Sequence, residues 1–365
     1  MSPRPASWSP PFCPNPACRF HAGSPTWRPW RKGFFTRQAA PRRIQRYQCP
    51  HCRRCFSSQT FSTTYWLKRP DLPRALFGRL VACAAYRQIA RDLAVSPTTV
   101  LRQTERLGRH CLLFHERLRP RHAPQEPIAV DGFETFEWSQ DVPVHFHTAI
   151  GTRSHFFYAF TDSELRRKGR MTERQRRRRA EREARLGRPD PRSIEREMAE
   201  LLALVVPPGG RATVRSDEHP AYPRAIRRLA DRTVVHETVS SRAARTPANP
   251  LFAVNLLDLL IRHSSANHKR ETIAFSKRRQ SAAERLAVLQ VWRNTMKSCS
   301  ERKRDATPAQ RLGLTGRKLT GDDVLAERLF PSRIRLPERV ARYYWRLTPT
   351  RGLVNPRVHR LRFAA

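Results

Sequence analysis

Two aspartates and two cysteine pairs are the residues whose setting could do chemistry. Asp131 follows the apolar run Ile-Ala-Val, and Asp217 follows Ala-Thr-Val-Arg-Ser, so each carboxylate sits on or at the end of a strand-like segment. Two such carboxylates brought side by side can hold divalent metal ions and support hydrolysis or transfer of a phosphodiester. Cys13-Pro-Asn-Pro-Ala-Cys18 and Cys49-Pro-His-Cys52 form a C-x4-C and a C-x2-C pair separated by thirty residues. That spacing suits four thiolates around one structural Zn2+ in a zinc ribbon, a closed tetrahedral site with no open position for catalysis. Cys55 and His21 are alternatives for one of the four ligands.

The elements that must carry these residues follow from the hydrophobic pattern. Residues 1–62 are rich in Pro, Arg and Cys and have little core of their own, so metal would supply much of their folding free energy. Residues 63–119 read as helices. Within them Tyr86 to Arg102 has the spacing of a helix-turn-helix: Ile89, Ala90 and Leu93 on one helix, Val95 in the turn and Val100 on the next. Ser96 can cap the second helix and Pro97 suits its first turn. That helix is expected to enter the major groove of DNA and present Thr98, Thr99, Arg102, Gln103 and Arg106.

After a Pro-containing linker at 120–127 the period changes to two. Three strands are expected in IAVDGFETFEW, VPVHFHTAIG and SHFFYAFTDS, and two more in RATVRSDEH and RTVVHETVS with a short helix between them. A basic helical insert at about 165–206, including Arg176 to Arg179, interrupts the series and offers phosphate contacts. From Asn249 to about residue 300 the chain reads as helical, and 301–365 as a basic, aromatic extension whose Tyr343, Tyr344 and Trp345 either pack on the sheet or stack on unpaired bases. The fold class is α/β, with a mixed-sheet catalytic domain at 120–300 behind the two small modules.

Charge narrows the partner. Lys and Arg number 71 against 31 Asp and Glu, a net charge of +40, far beyond what solubility requires and in line with double-stranded DNA as partner. No run of 18 apolar residues is present and the start lacks the apolar core of a signal peptide, so a cytoplasmic location without membrane contact is expected. Five of the eight cysteines fall within residues 13 to 55, too localised for a disulfide framework.

These features together resemble the DDE transposases of bacterial insertion sequences, particularly the insertion-sequence-one type, which combine a zinc ribbon, a helix-turn-helix and an RNase H-like domain. The resemblance runs from the cysteine pairs through Arg215-Ser-Asp-Glu-His-Pro-Ala-Tyr222 to Arg270-Glu-Thr-Ile-Ala-Phe-Ser-Lys277. It implies Mg2+ or Mn2+ held by Asp131, Asp217 and a later Glu, with Tyr222 five residues after the second Asp. It also implies binding to element ends and target DNA, a nucleoid-associated location, and a homodimer or larger assembly on DNA.

The chain departs from that pattern at the third acid. Counting back from the Arg270 to Lys277 block gives Asn255 where the family has Glu, and the polar positions three and seven residues on are Asp258 and Arg262. Asp258 and Asn255 are therefore both candidates for the third ligand, with Glu271 and Glu284 in reserve as salt-bridging surface residues. Gly132 stands where relatives often have Glu, and Glu134 and Glu137 are expected to point outward. Two competing readings remain: a decayed or domesticated transposase acting as a DNA-binding protein or repressor, and a zinc-ribbon nuclease.

Overall fold

The computed structural model describes residues 8–355 and 357–360. Residues 1–7, Pro356 and residues 361–365 lie outside the described residues.

Strands β1 (Trp30–Thr36), β2 (Arg43–Gln48) and β3 (Cys55–Ser57) pair antiparallel in that order as a small sheet over the cysteine pairs. Three helices follow, α1 (Leu72–Val81), α2 (Tyr86–Asp92) and α3 (Pro97–Leu118). Pro97 opens α3 and the Ser96 hydroxyl accepts from the Thr99 N–H at 3.1 Å, which fixes the turn between α2 and α3.

The second sheet is mixed. β4 (Ile128–Glu137), β5 (Ser139–Gly151) and β6 (Phe157–Glu164) form an antiparallel meander, and α4 (Glu173–Leu186) and α5 (Ser193–Val205) lead to β7 (Arg211–Ser216). The short α6 (Ala221–Arg227) connects β7 to β8 (Thr233–Thr238), and the strand order is β6-β5-β4-β7-β8, with β4, β7 and β8 parallel. The chain ends with α7 (Phe252–Ser264), α8 (Arg279–Thr295), α9 (Pro308–Arg311), α10 (Gly321–Leu325) and α11 (Glu338–Tyr344).

Strand alternation sends side chains to two cores. Ile128, Val130 and Ala149 face Met198, Leu202, Tyr222 and Ala225 of α5 and α6. Ala129, Phe133 and Phe146 face Val254, Leu257 and Leu286 of α7 and α8. The same core continues into Leu76, Leu107 and Cys111 of α1 and α3, so hydrophobic packing runs across the expected boundary at 119/120. Gly108 permits this: a Cβ there would lie 2.7 Å from the Cβ and carbonyl oxygen of Glu284 on α8.

The basic insert divides into two unlike parts. No residue of α4 is buried, whereas α5 carries Met198, Leu201, Leu202 and Val205 into the sheet core. The extension 301–365 is woven through the molecule: Tyr343 is buried, stacks on Phe160 at 5.4 Å and donates its hydroxyl hydrogen to Asp162. Tyr344 is buried as well. Earlier in the extension, Arg333 lies 3.8 Å over Phe12 and Ser332 bonds His21 at 2.8 Å, fastening the cysteine-bearing module to the rest. Among the described residues no helix is long and apolar enough to cross a membrane.

Candidate functional site

Register brings the two strand acids together. Ala129 of β4 pairs with Arg215 of β7, so two residues further on Asp131, within β4, and Asp217, just past the end of β7, come to neighbouring positions on adjacent parallel strands. Both alternate to the face covered by α7, whose Asp258 comes from the third direction. The phenol of Tyr222 on α6 reports on all three: burial raises its pKa, and the charges of Asp131, Asp217 and Asp258 each raise it further.

The carboxylates are under electrostatic tension. Burial pushes Asp131 up to about 6, with the charge of Asp217 adding to it and the Gly132 N–H, which donates to Oδ1 at 2.7 Å, opposing it. Burial pushes Asp258 up to about 8, again helped by Asp131, and its Oδ1 is buried without a hydrogen-bond partner. Asp217 accepts the His219 N–H at 3.0 Å. In a chain where most acids pair with arginine, none of the three aspartates appears in a salt bridge among the described residues. A divalent cation between them would relieve this tension, and the oxygen donors suit magnesium or manganese.

The other candidates fall elsewhere. Asn255 is half-buried on α7, three residues before Asp258. Arg262 reaches backbone carbonyls, with Nη1 donating to His268 O at 3.0 Å. Glu271 is exposed, whereas Glu284 is buried in α8 beside Arg346 at 3.3 Å, well inside the molecule instead of on its surface. Glu134 is exposed, but Glu137 points inward to Arg279 at 3.0 Å, correcting the outward expectation. A Cβ on Gly132 would meet His145 Cε1 at 2.3 Å, so the imidazole occupies the space a Glu side chain there would need.

Two residues near the acids escaped the sequence pattern. Arg245, in the exposed stretch between β8 and α7, lowers the pKa of Asp131. His145 is kept neutral, its pKa pushed down to about 4 chiefly by burial, with His219 and Asp217 in its field. Neither sits in a motif; only the fold brings them near.

Cys13, Cys18, Cys49 and Cys52 place their sulfurs within 4.8 Å of one another, with Cys13 to Cys52 at 3.6 Å and Cys18 to Cys49 at 3.8 Å. A tetrahedral zinc site with bonds of about 2.3 Å requires sulfurs roughly 3.8 Å apart, so the quartet fits the metal. Burial raises the Cys49 thiol, but hydrogen bonds from the Cys52 backbone, the Trp27 side chain, the His51 backbone and Cys13 together bring it down to about 7. His21 is committed elsewhere, Nδ1 to Cys13 O and Nε2 to Ser332 Oγ, both at 2.8 Å, and Cys55 is exposed outside the quartet. Among the described residues this is the one group of three or more such side chains so close together, and the three aspartates stand further apart than that.

On α3, Thr98 and Arg102 are exposed and Thr99 is half-buried at the cap. Gln103 and Arg106 instead line a cleft with Arg109 and Arg328, and burial pushes Arg106 down to about 10.

No protein-family model matches the chain, and no curated protein matches it significantly. Among solved structures the chain is similar to the cryo-EM structure of a simian T-cell lymphotropic virus intasome in complex with PP2A regulatory subunit B56 gamma, at 14% identity. That match covers 62% of this chain and 70% of the other with a TM-score of 0.25, a likeness too slight to bear on fold or function.

Proposed function

We propose that the chain is a transposase of a bacterial insertion sequence: it binds the ends of its element and carries out metal-dependent DNA cleavage and strand transfer on an RNase H-like domain. The observation that carries this reading is the convergence of Asp131, Asp217 and Asp258, from β4, the end of β7 and α7, on the phenol of Tyr222. The sheet order, three antiparallel strands followed by two parallel ones, supports the fold, and the net charge of +40 supports DNA as substrate.

Asp131, Asp217 and Asp258 would hold Mg2+ or Mn2+, which supplies activation of water or of a 3'-hydroxyl and stabilises the attacking and leaving oxygens. The buried orphan oxygen of Asp258 makes it the better third ligand than Asn255. Tyr222 braces the carboxylates, and Arg245 approaches from the loop side where a scissile phosphate would lie. The exposed start of α3 would read element ends, and the four cysteines would hold zinc. Pairing two DNA ends requires a dimer or larger assembly in the nucleoid.

The test is a search for inverted repeats flanking the gene and nicking of duplexes that end in them. Cleavage is expected with Mg2+ or Mn2+ and not in Asp131→Asn or Asp217→Asn; retention of cleavage in both variants rules the site out. Asn255, a neutral residue where the resemblance expects Glu, favours the second reading, a DNA-binding protein without cleavage. That reading predicts end-specific binding and no nicking under any divalent ion.

A further inference from the structure

The first seventy residues contain thirteen Lys and Arg and not one Asp or Glu. On this uniformly basic module, the edge strand β1 has every residue exposed although its sequence, Trp-Arg-Lys-Gly-Phe-Phe-Thr, is strongly aromatic. Trp30, Phe34 and Phe35 are 44, 49 and 41% exposed, and Trp66, on the segment following the sheet, is 81% exposed. The module does not lack aromatic core: Tyr47, Phe56, Phe61 and Trp27 pack against one another beneath, with Tyr47 and Phe56 stacked at 5.7 Å. The outer rings are additional to that core.

Those rings are set among cations. Arg43 lies 3.8 Å over the Phe34 ring and Arg53 lies 4.6 Å over Trp30. Phe35, Phe56, Tyr65 and Trp66 line a cleft of about 490 Å³ together with Arg37, Arg46 and Arg54. Trp66 is held with φ at 59°, in the left-handed region that a bulky side chain rarely enters, and this conformation leaves its indole outside the core. An exposed aromatic edge strand is a liability unless something covers it.

We infer that this face binds an unpaired DNA strand, with bases stacking on Phe35 and Trp66 and the backbone following Arg37, Arg46 and Arg54. Flat rings separated by arginines match the alternation of bases and phosphates, and a cleft between rings admits bases only when they are free of a duplex. A closed duplex would meet the same cations through its phosphates but leave the rings unused. The choice of DNA over RNA rests on the transposase reading; stacking itself does not.

The experiment uses the full chain with its zinc retained and no Mg2+ added, and measures anisotropy of labelled oligo-thymidine and of a labelled duplex. Trp66→Ala and Phe35→Ala are each expected to weaken oligo-thymidine binding about tenfold while leaving duplex binding unchanged. Unchanged zinc content and melting temperature show that the variants fold. The proposal is overturned if oligo-thymidine affinity survives both substitutions. It also falls if oligo-uridine is bound more tightly than oligo-thymidine, or if the substitutions alter only the oligomeric mass, which would make the face a protein interface. Asp131→Ala is expected to bind oligo-thymidine as the parent does. Absence of nicking together with Trp66-dependent binding would therefore reject the transposase reading and keep this one, and the reverse pattern would do the opposite.

Discussion

Asp258 on α7 and Asp131 on β4 share one electrostatic site: burial drives Asp258 up to about 8 and the Asp131 charge adds to the rise. Both residues have folded values above the ordinary 3.8, with Asp131 at about 6. Their folded forms therefore hold protons that the unfolded chain releases near pH 4. The resulting stability is full below that pH and is lost as pH rises through 6 and then 8. Asp258→Asn is expected to raise stability by about 2 kcal/mol at pH 8 without divalent ions and to change little at pH 4. Urea titrations at the two pH values check this; equal effects at both would mean the strain is not ionic.

Divalent ions should relieve the same strain. At pH 8, saturating Mn2+ or Mg2+ is expected to raise the melting temperature of the parent protein, equivalent to about 2.7 kcal/mol at a hundredfold excess over Kd. Asp131→Asn should abolish the shift. A shift that survives that change would place the ion elsewhere.

Zinc should behave differently, because the thiolates that hold it belong to a segment with little core. One zinc per chain is expected by metal analysis, and Cys49→Ser should lose it. Structural zinc contributes on the order of 10 kcal/mol in small modules, so the variant should expose residues 8–62 to protease while the mixed sheet stays protected. His21 and Ser332 are the contact to watch, since loss of the quartet releases the Cys13 carbonyl that orients His21. Zinc retained at full stoichiometry in Cys49→Ser would remove the assignment.

The mixed sheet was legible because its strands alternate locally, and Asp131 and Asp217 could be paired because a register rule needs only the strand order. The role of α8 was not legible. Glu284 reads as a salt-bridging surface residue, yet it and Arg279, Gln280, Arg285 and Arg293 are all buried, and partners come from distant segments: Arg279 meets Glu137 and Asp162, and Arg285 donates to the carbonyls of Leu80 and Ala84. Nonlocal pairing leaves no periodic trace. The same reason hid the packing of α5, a helix the sequence shows but whose acids Glu195 and Glu197 pair with Arg224, Arg228 and Arg339 while Met198 and Leu202 enter the core. Asp258 was legible only as a position on the right helix; its orphan oxygen is a property of the packing.

Arg279 gives the cost of such a pairing. It bonds Glu137 at 3.0 Å, Asp162 at 3.3 Å and Glu164 at 2.8 Å, and the first two carboxylates are almost wholly enclosed. Arg279→Met would leave Glu137 buried without a counter-charge and Asp162 with Arg339 alone, and a destabilisation of about 3–5 kcal/mol is expected at pH 7. Much of it should vanish at low pH, where the carboxyls take up protons. A loss independent of pH would point to packing alone.

The two arginines on α3 separate reading DNA from holding the fold together. Arg102 is exposed one turn into the helix, where a major-groove contact or a phosphate contact is open to it. Arg106, one turn further, lies in the cleft beside Arg109 and Arg328, and its pKa falls to about 10 because burial and the neighbouring Arg109 charge both disfavour its cation. Arg102→Ala is therefore expected to weaken duplex binding and reduce the salt slope by about 1 if it meets a phosphate, or to relax sequence preference at about 1–3 kcal/mol if it meets a base. Arg106→Met should leave DNA affinity unchanged and raise the melting temperature, because it removes a desolvated charge from a cluster of like charges. Binding isotherms at several salt concentrations together with thermal melts of the two variants decide the assignment. The opposite pattern, with Arg106 controlling affinity, would require the segment around Leu325 and Arg328 to move off α3 when DNA binds.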